Sequence, residues 1–305
     1  MAGSQDFAAD PRNANALIYL NGRLLPRAEA KVSVFDAGFV VGDGVWEGLR
    51  LHRGTLLFLD EHLDRLYWGA GQIHLDIGLS RQKLADELRR VLDANRMHDG
   101  VHIRLMVTRG EKSAPNQDPR NALGTPTLVI VCEYKLPAAN LQAEGIKLAT
   151  SSILCTPAEM FDMRLNSHSR LNLIRALLQA IDAGADEALM LDPNGFVSSC
   201  NATNFFIVSG GIVMTSQGRY CFNGITRNKV IRVCQQTGIP LKLDEFTLAE
   251  VHDADEAFVT GTFGGVTPVS SIDGRTLPAA LPGPITERIA RAYQALKDSQ
   301  AAGEV

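Results

Sequence analysis

The stretch that decides the fold reads Val34-Phe-Asp-Ala-Gly-Phe-Val-Val-Gly-Asp-Gly-Val-Trp-Glu-Gly-Leu-Arg50. It closes in a strand-like run of apolar residues that ends at Arg50. Three other segments belong with it: Glu61-His-Leu-Asp-Arg-Leu66, Gly224-Ile-Thr-Arg227 and Thr260-Gly-Thr-Phe-Gly-Gly-Val-Thr-Pro268. The glycines in the last two segments permit a close approach of the backbone to a ligand. The four segments are spread over both halves of the chain.

The composition is that of a globular protein with a sizeable core. The chain has 305 residues, 45% hydrophobic and 21% charged, with a net charge of −4, which suits one large or two ordinary domains. No basic cluster with interleaved aromatics occurs, so we expect no nucleic-acid partner. No apolar run approaches the ~20 residues of a membrane helix, and the N-terminus lacks a secretory signal. We therefore expect a cytoplasmic protein without membrane contact. Five widely spaced cysteines predict neither a metal site nor a redox motif.

The spacing of apolar residues predicts two α/β domains. We expect a small N-terminal α/β domain at 1–135, a connector at 136–145 and a large C-terminal α/β domain at 146–305, with a ligand cleft between the domains. Helices are predicted at about 61–73 (with Asp60 as N-cap), 81–95, 170–183, 225–237 and 285–297. Strands are predicted in a hairpin at 16–25 that turns at Asn21-Gly22, and at 56–59, 101–109, 127–131, 146–152, 187–192, 204–208, 211–215 and 257–260.

Three features could together bind a phosphate group. Gly224 turns the chain into a helix, so the N–H groups of Ile225 and Thr226 can face an anion. The Thr260-Gly-Thr262 segment offers a hydroxyl at a strand end. Arg65 adds a planar guanidinium that suits phosphate oxygens. Each feature alone is weak, because a Gly-x-Thr turn is more often a helix cap, so the prediction depends on their combination.

Two strand arginines could recognise carboxylates. Arg50 ends an apolar run, and Arg104 alternates with Ile103 and Leu105 along its strand. Guanidinium groups bind carboxylates bidentately. A surface or salt-bridged arginine is the other interpretation, and the sequence leaves both open.

Taken together, the quoted segments resemble the class IV, fold-type IV pyridoxal-phosphate (PLP) enzymes, which include branched-chain aminotransferase, D-amino-acid aminotransferase and aminodeoxychorismate lyase. The resemblance runs from about Leu17 to Leu296. It implies a two-domain α/β fold, a homodimer, and transfer of an amino group between an amino acid and a 2-oxo acid, with apolar substrates. The positions that match the family's cofactor-phosphate ligands are Arg65, Ile225, Thr226 and Thr262, and those on the substrate side are Arg50 and Arg104.

The family's covalent link to its cofactor has no counterpart in this chain. Members hold PLP on a lysine in a Lys-Ser/Thr-x-Asn-x-Leu run, but no lysine occurs between Lys147 and Lys229. An ungapped match places the lysine position at Asn166, and a shift of one residue places it at Leu165. The glutamate that pairs with the pyridine nitrogen falls on Ser199. An amide cannot hold the cofactor covalently, and a serine hydroxyl offers the nitrogen only a neutral hydrogen bond.

These departures leave three hypotheses open. In the first, the chain is an aminotransferase with an atypical site, where His168 could replace the lysine as base. In the second, the fold serves a different, PLP-independent reaction with His168, Asn166 or Ser199 as catalytic residues. In the third, the protein is a non-catalytic binder of a phosphorylated ligand. The cofactor is correspondingly PLP or pyridoxamine phosphate held noncovalently, or none. The change at two positions favours natural divergence over an engineered lysine substitution.

Overall fold

A hairpin opens the first sheet of the protein in the computed structural model, which describes residues 4–304 except residues 6 and 139. Its strands β1 (Leu17–Leu20) and β2 (Arg23–Pro26) pair antiparallel. Asn21 and Gly22 between them have positive φ values of 45° and 86°. These two residue types tolerate that conformation best, which favours a tight two-residue turn. The predicted hairpin is confirmed.

The hairpin belongs to an N-terminal unit, which contains Ala9–Leu136, Leu165–Arg170 and residues 300–304. Its other regular elements are α1 (Ala37–Val41), β3 (Gly44–His52), β4 (Thr55–Leu56), α2 (Leu59–Gln72), α3 (Arg81–Ala94), β5 (Val101–Thr108) and β6 (Thr127–Tyr134), with short 3₁₀ turns at Pro11–Asn15 and Pro119–Asn121. The strands are antiparallel in the order β2-β1-β6-β5-β3-β4.

The two faces of this sheet differ. Along β5, Val101, Ile103, Leu105 and Val107 are fully buried, and they share a hydrophobic core with residues of α2 and α3. The alternate residues on β5 are only partly buried. Because successive strand side chains point to opposite faces, a second, more polar face results. The register there pairs Trp46 with Met106, Gly48 with Arg104 and Arg50 with His102.

The start of α2 differs from the sequence-based prediction. Asp60 lies inside the first turn, and the helix begins at Leu59 after Phe58, which has a left-handed φ of 53°. Asp60 therefore favours the helix through its charge near the N-terminus. The strand predicted at 56–59 is confined to Thr55–Leu56, because Leu57 and Phe58 lie in a turn and Leu59 already begins the helix.

The C-terminal unit contains residues 4–8, 137–164 and 171–299, among those described. Its helices are α4 (Leu141–Glu144), α5 (Ala158–Phe161), α6 (Leu171–Asp182), α7 (Ile225–Thr237), α8 (Leu248–His252) and α9 (Pro284–Ala301). Its strands are β7 (Ile146–Thr150), β8 (Glu187–Leu191), β9 (Val197–Cys200), β10 (Asn204–Ser209), β11 (Ile212–Thr215), β12 (Leu241–Leu243), β13 (Glu256–Gly261), β14 (Gly265–Ile272) and β15 (Arg275–Thr276). The sheet order is β12-β11-β10-β13-β14-β7-β8-β9, with β15 beside β14.

The central strands of this sheet are buried on both faces. Phe205 and Phe206 are neighbours on β10, so they point to opposite sides, and both are fully buried. Phe206 stacks on Phe258 of β13 with ring centroids 4.7 Å apart, and Phe205 stacks on Phe246. Continuous apolar runs are typical of strands covered on both faces. These rigid strands carry the residues discussed next.

The domain division at 135 and 146 stays a prediction. Within the predicted connector the structure has the short helix α4. In the described part of the chain, no helix combines the length and apolar character needed to cross a membrane.

Candidate active site

The start of α7 presents backbone N–H groups in the C-terminal unit. Gly224 is the N-cap residue, and no side chain caps this helix. The N–H of Gly224 donates to Asn204 Oδ1 at 3.2 Å, and Asn204 Nδ2 donates to the Phe222 carbonyl at 2.6 Å. A Cβ at position 224 would overlap Asn204 Oδ1, so any larger residue here would have to displace the Asn204 side chain. The predicted phosphate ligands Ile225 and Thr226 form the uncapped first turn that follows.

A buried threonine lies beside this turn. Thr260 on β13 pairs with Asn204 on β10, and its Oγ1 is buried with no hydrogen-bond partner among the described residues. An unsatisfied buried hydroxyl costs ~1–3 kcal/mol, so a polar ligand or water at this point would be favourable. Thr262, the predicted ligand, follows β13 and is partly exposed. The sequence prediction included the Thr260-Gly-Thr262 run but gave Thr260 no role of its own.

Arg227 is a buried cation that the sequence prediction left without a role. It lies in the first turn of α7, and one of its Nη atoms donates to the Ser216 carbonyl at 2.5 Å. Its Nε has no hydrogen-bond partner within the described chain, and burial lowers its pKa. The guanidinium adds positive potential to that of the helix N-terminus. This role depends on the burial of Arg227, which could not be predicted from a single sequence.

Ser199 occupies the predicted glutamate position on β9. Its hydroxyl donates to the Thr203 carbonyl at 2.8 Å and accepts from Asn204 Nδ2 at 3.2 Å. Asn204 therefore links Ser199 to the Gly224 turn, so the structure brings these predicted residues together in one unit. A serine hydroxyl is uncharged, and the proton of Ser199 is already donated to the Thr203 carbonyl, so Ser199 supplies no charge to a ring nitrogen.

The nearby carboxyl group of Glu187 is fully buried. It accepts hydrogen bonds from Thr203 Oγ1, at 2.7 Å, and from Ser4 Oγ. Burial raises the pKa of Glu187 to about 7. It therefore titrates near neutral pH.

In the N-terminal unit, Arg65 is held by the buried carboxylate of Glu47. Its Nε and one Nη each donate to Glu47 at 2.7 Å, and His62 Nδ1 lies 2.7 Å from the same carboxylate. Burial acts to raise the pKa of Glu47, but Arg65 and His62 outweigh it and hold the pKa below its ordinary value. Glu47 thus orients the guanidinium of Arg65.

The predicted substrate arginines lie on the polar face of the N-terminal sheet. Arg50 on β3 donates to the Lys135 carbonyl at 2.5 Å. Arg104 on β5 stacks on Trp46, with its Cζ 3.7 Å from the ring centroid. Burial lowers the pKa of both arginines. Arg104 makes no hydrogen bond or ion pair with another described residue, so its donors can serve a ligand.

The segment around Asn166, the predicted lysine position, is joined to β3 by hydrogen bonds. Trp46 N–H donates to the Asn166 carbonyl at 2.9 Å, and Trp46 Nε1 donates to the Ser167 carbonyl at 3.0 Å. Asn166 Nδ2 donates a hydrogen bond to the Trp46 carbonyl at 2.5 Å, and Asn166 Oδ1 accepts one from Arg170. Both ends of the Asn166 amide therefore have structural partners.

His168 packs against the same strand. A Cβ on Gly44 would lie 2.7 Å from the His168 ring, so the glycine makes room for the imidazole. Burial, followed by the charge of Arg104, lowers the pKa of His168 against an opposing hydrogen bond to the Val45 backbone. Nε2 is buried without a hydrogen-bond partner in the described residues. The lowered pKa favours the neutral imidazole, the form that a general base needs.

A family model now defines the class of this protein. The model described as amino-transferase class IV matches residues 44–272. The chain belongs to the class IV aminotransferase family of PLP-dependent transferases, as the resemblance predicted.

Several individual proteins are similar to this chain in sequence or structure. The chain is 38% identical over 289 residues to branched-chain-amino-acid aminotransferase-like protein 2 of Arabidopsis thaliana, covering 94% of this chain but 51% of that protein, so it spans about half that relative's length. It is 37% identical to a putative branched-chain-amino-acid aminotransferase of Methanocaldococcus jannaschii, covering 92% of this chain and 96% of the relative. A crystal structure of the branched-chain aminotransferase from the thermophilic archaeon Thermoproteus uzoniensis with norvaline superposes with a TM-score of 0.82 at 31% identity, covering 94% of this chain and 95% of that chain. The predicted fold-type IV fold is confirmed.

The residues present fit one part of a PLP-type cofactor. The uncapped α7 turn and the unpaired Thr260 hydroxyl suit a phosphate group. A covalent attachment does not fit, because the lysines that flank the gap are Lys147, exposed on β7, and Lys229, inside α7. The roles assigned to the individual site residues stay predictions.

Proposed function

We propose that the protein transfers an amino group between an amino acid and a 2-oxo acid, with PLP or pyridoxamine phosphate bound noncovalently. The observation that carries the proposal is the coexistence of an uncapped helix N-terminus, at the position where the family binds phosphate, with a stretch from Lys147 to Lys229 that contains no other lysine. A site that had lost its ligand would be free to lose its phosphate-binding residues as well.

The phosphate ligands in this proposal are the N–H groups of Ile225 and Thr226, the Thr262 hydroxyl, and the guanidinium of Arg65. Thr260 Oγ1, which has no partner in the described structure, is a further donor. When bound, the cofactor supplies an electron-withdrawing ring that stabilises negative charge on the substrate carbon. Ser199 gives the ring nitrogen a neutral partner, so this stabilisation is weaker than with a carboxylate.

Arg104 and Arg50 bind the substrate carboxylate in this proposal. The support is that Arg104 has its guanidinium stacked on Trp46 and no hydrogen-bond partner in the described chain. His168 Nε2 is the atom that accepts the substrate proton in this proposal, since burial lowers the pKa of the imidazole and this nitrogen has no hydrogen-bond partner among the described residues. A base in this role contributes ~10²–10⁴-fold to the rate.

We also propose that the protein acts as a homodimer in the cytoplasm. Helix α6 exposes Leu171, Ile174, Leu178 and Ile181, whose 3-4-3 spacing places them on one face, and each is more than half exposed. Such an apolar stripe supports a self-complementary interface with a second copy. The five free, buried cysteines support a reducing compartment.

The test is PLP affinity measured by isothermal titration with three variants. Arg65→Gln and Thr262→Val are expected to weaken PLP binding about 10- to 100-fold, because each removes hydrogen bonds to a charged group. Thr237→Val is the control in α7, where the hydroxyl donates to the Val233 carbonyl. Unchanged affinity in Arg65→Gln and Thr262→Val would contradict the assignment of the phosphate site.

Transamination is measured separately, from the keto product formed by the PLP-loaded protein. Amino transfer that His168→Gln lowers, with PLP affinity unchanged, is the expected result. PLP binding without amino transfer would favour the non-catalytic binder, and neither property would favour a different, PLP-independent reaction.

A further inference from the structure

The N-terminal unit contains a cavity that the proposed active site does not use. Its volume is about 530 Å³, which is within the range of small-molecule sites. The residues that line it include Leu51, Leu56, Arg89, Leu92, Asp93 and Met97. Leu51 follows Arg50 on β3, and successive side chains of a strand point to opposite faces of the sheet. The cavity is therefore on the face opposite the predicted substrate ligand Arg50.

The inner wall of the cavity is apolar. Leu51, Leu56, Leu92 and Met97 line it, and each is at most 9% exposed. All four belong to the hydrophobic core that the sheet shares with α2 and α3, so close packing holds their side chains in place. A hydrocarbon group that contacts this wall is removed from water, which favours binding. The wall suits the apolar part of a ligand.

The opening of the cavity is shaped by a turn that hydrogen bonds hold in place. Gly54 in this turn has a φ of 81°, and its N–H donates to the His98 carbonyl at 2.7 Å. A Cβ at position 54 would meet no atom within 4 Å, so open space lies beside the turn. Phe58 N–H donates to Gln300 Oε1 at 3.2 Å. These bonds preorganise the opening, which lowers the entropy cost of binding a ligand.

Helix α3 brings two opposite charges to the cavity. Arg89, Leu92 and Asp93 all line it, and their spacing places them on one face of the helix, with Arg89 and Asp93 ~6 Å apart along the axis. Arg89 donates to Asp86 at 3.3 Å in an exposed pair, which competes only weakly with a ligand. The Asp93 carboxylate makes no hydrogen bond or ion pair with another described residue. A cation and an anion thus flank an apolar side chain.

We propose that this cavity is a second ligand site and that it binds an apolar α-amino acid. Arg89 binds the α-carboxylate, Asp93 binds the α-ammonium group, and the hydrocarbon side chain contacts the wall around Leu92. Asp60 and Glu61 also line the cavity, so carboxyl groups outnumber Arg89 and a ligand without an ammonium group is disfavoured. The site goes beyond the proposed function, because it needs neither the cofactor nor amino transfer.

The test is isothermal titration of the full protein without added PLP. L-Leucine is compared with 3-methylbutylamine, which lacks the carboxylate, and with 4-methylpentanoate, which lacks the ammonium group. We expect L-leucine to bind at least about tenfold more tightly than either, and Asp93→Asn to weaken L-leucine binding about tenfold or more. Asp182→Asn is the matched control and should leave the affinity unchanged, because Asp182 is also exposed in the last turn of a helix, α6, but does not line the cavity.

Arg104→Gln separates this cavity from the proposed substrate site. We expect Arg104→Gln to retain the L-leucine binding that depends on Asp93. Loss of binding in Arg104→Gln, together with unchanged binding in Asp93→Asn, would place L-leucine at the substrate site and overturn the proposal. Absence of L-leucine binding in wild type would also overturn it. An amine that binds as tightly as L-leucine would overturn the assignment of an amino acid, and Arg89→Gln should then leave L-leucine affinity unchanged.

Discussion

Replacing Glu47 with glutamine tests whether one buried carboxylate holds the proposed phosphate ligand Arg65 in place. Glu47 is fully buried and accepts from Arg65 Nε, Arg65 Nη and His62 Nδ1, each at 2.7 Å. Glutamine keeps one oxygen acceptor but places an N–H₂ group against donors. The substitution therefore removes the charge and introduces at least one donor–donor contact.

The expected cost follows from the burial of both partners. Breaking one side of a buried ion pair costs ~3–5 kcal/mol. The side chain of Arg65 is 13% exposed, so partial hydration of the remaining cation favours the lower value. We expect Glu47→Gln to lower the free energy of unfolding by about 3 kcal/mol at pH 7. The exposed pair of Glu287 and Arg291 provides the control, since Glu287→Gln should cost less than about 0.5 kcal/mol.

Urea unfolding followed by circular dichroism measures the unfolding free energy of both variants. Repeating it at several pH values tests the direction in which the contribution of Glu47 changes with pH. The pKa of Glu47 is lowered in the folded state, so its stabilisation is present above the ordinary carboxyl range and is lost as pH falls through the folded pKa. The difference between wild type and Glu47→Gln should therefore shrink in acid. A cost below about 1 kcal/mol at pH 7, with an unchanged denaturant slope, would refute the view that this pair fixes Arg65.

Three further predictions concern the C-terminal unit. The pKa of Glu187 is raised to about 7, so the contribution of this carboxyl group to folding stability is present at low pH and lost as the pH rises through 7. Wild type should therefore lose up to about 3 kcal/mol of unfolding free energy between pH 5 and 8. Glu187→Gln should remove this pH dependence in thermal unfolding scans. Gly224→Ala would force Cβ against Asn204 Oδ1 and should weaken PLP binding about tenfold or more in isothermal titration, whereas Gly238→Ala, with nothing within 4 Å but φ +67°, should affect only stability. Leu178→Glu on the exposed face of α6 should convert a dimer to a monomer in analytical ultracentrifugation, while the exposed Gln294→Glu should not.

Much of the fold could be predicted because its signals are local. The turn at Asn21-Gly22 and the helix from Ile225 to Thr237 follow from residue type and period, and both occur as predicted. Asp60 was wrongly predicted as an N-cap because the left-handed Phe58 starts the helix instead. Strand β14 (Gly265–Ile272) was not predicted, since its pairing with β13 and β7 is a long-range interaction.

The candidate site was only partly predictable. The motif around Ile225 and Thr226 indicated an anion site from sequence, but the unpaired Thr260 hydroxyl and the buried Arg227 depend on burial, which a single sequence does not reveal. The exact position that replaces the lysine depends on the alignment. Matching the motif's asparagine to Asn172 would place it at Ser169 instead of Asn166. In either register the residue cannot bind the cofactor covalently, because no lysine lies between Lys147 and Lys229.

The central claim is that a class IV aminotransferase fold here binds its cofactor without a covalent lysine link. Incubating the purified protein with PLP at a concentration near its measured dissociation constant, reducing with borohydride and weighing the intact protein and its peptides tests this directly. The account predicts reversible PLP binding and no stoichiometric phosphopyridoxyl adduct. A stoichiometric adduct on one defined lysine, such as Lys147 or Lys229, would contradict it.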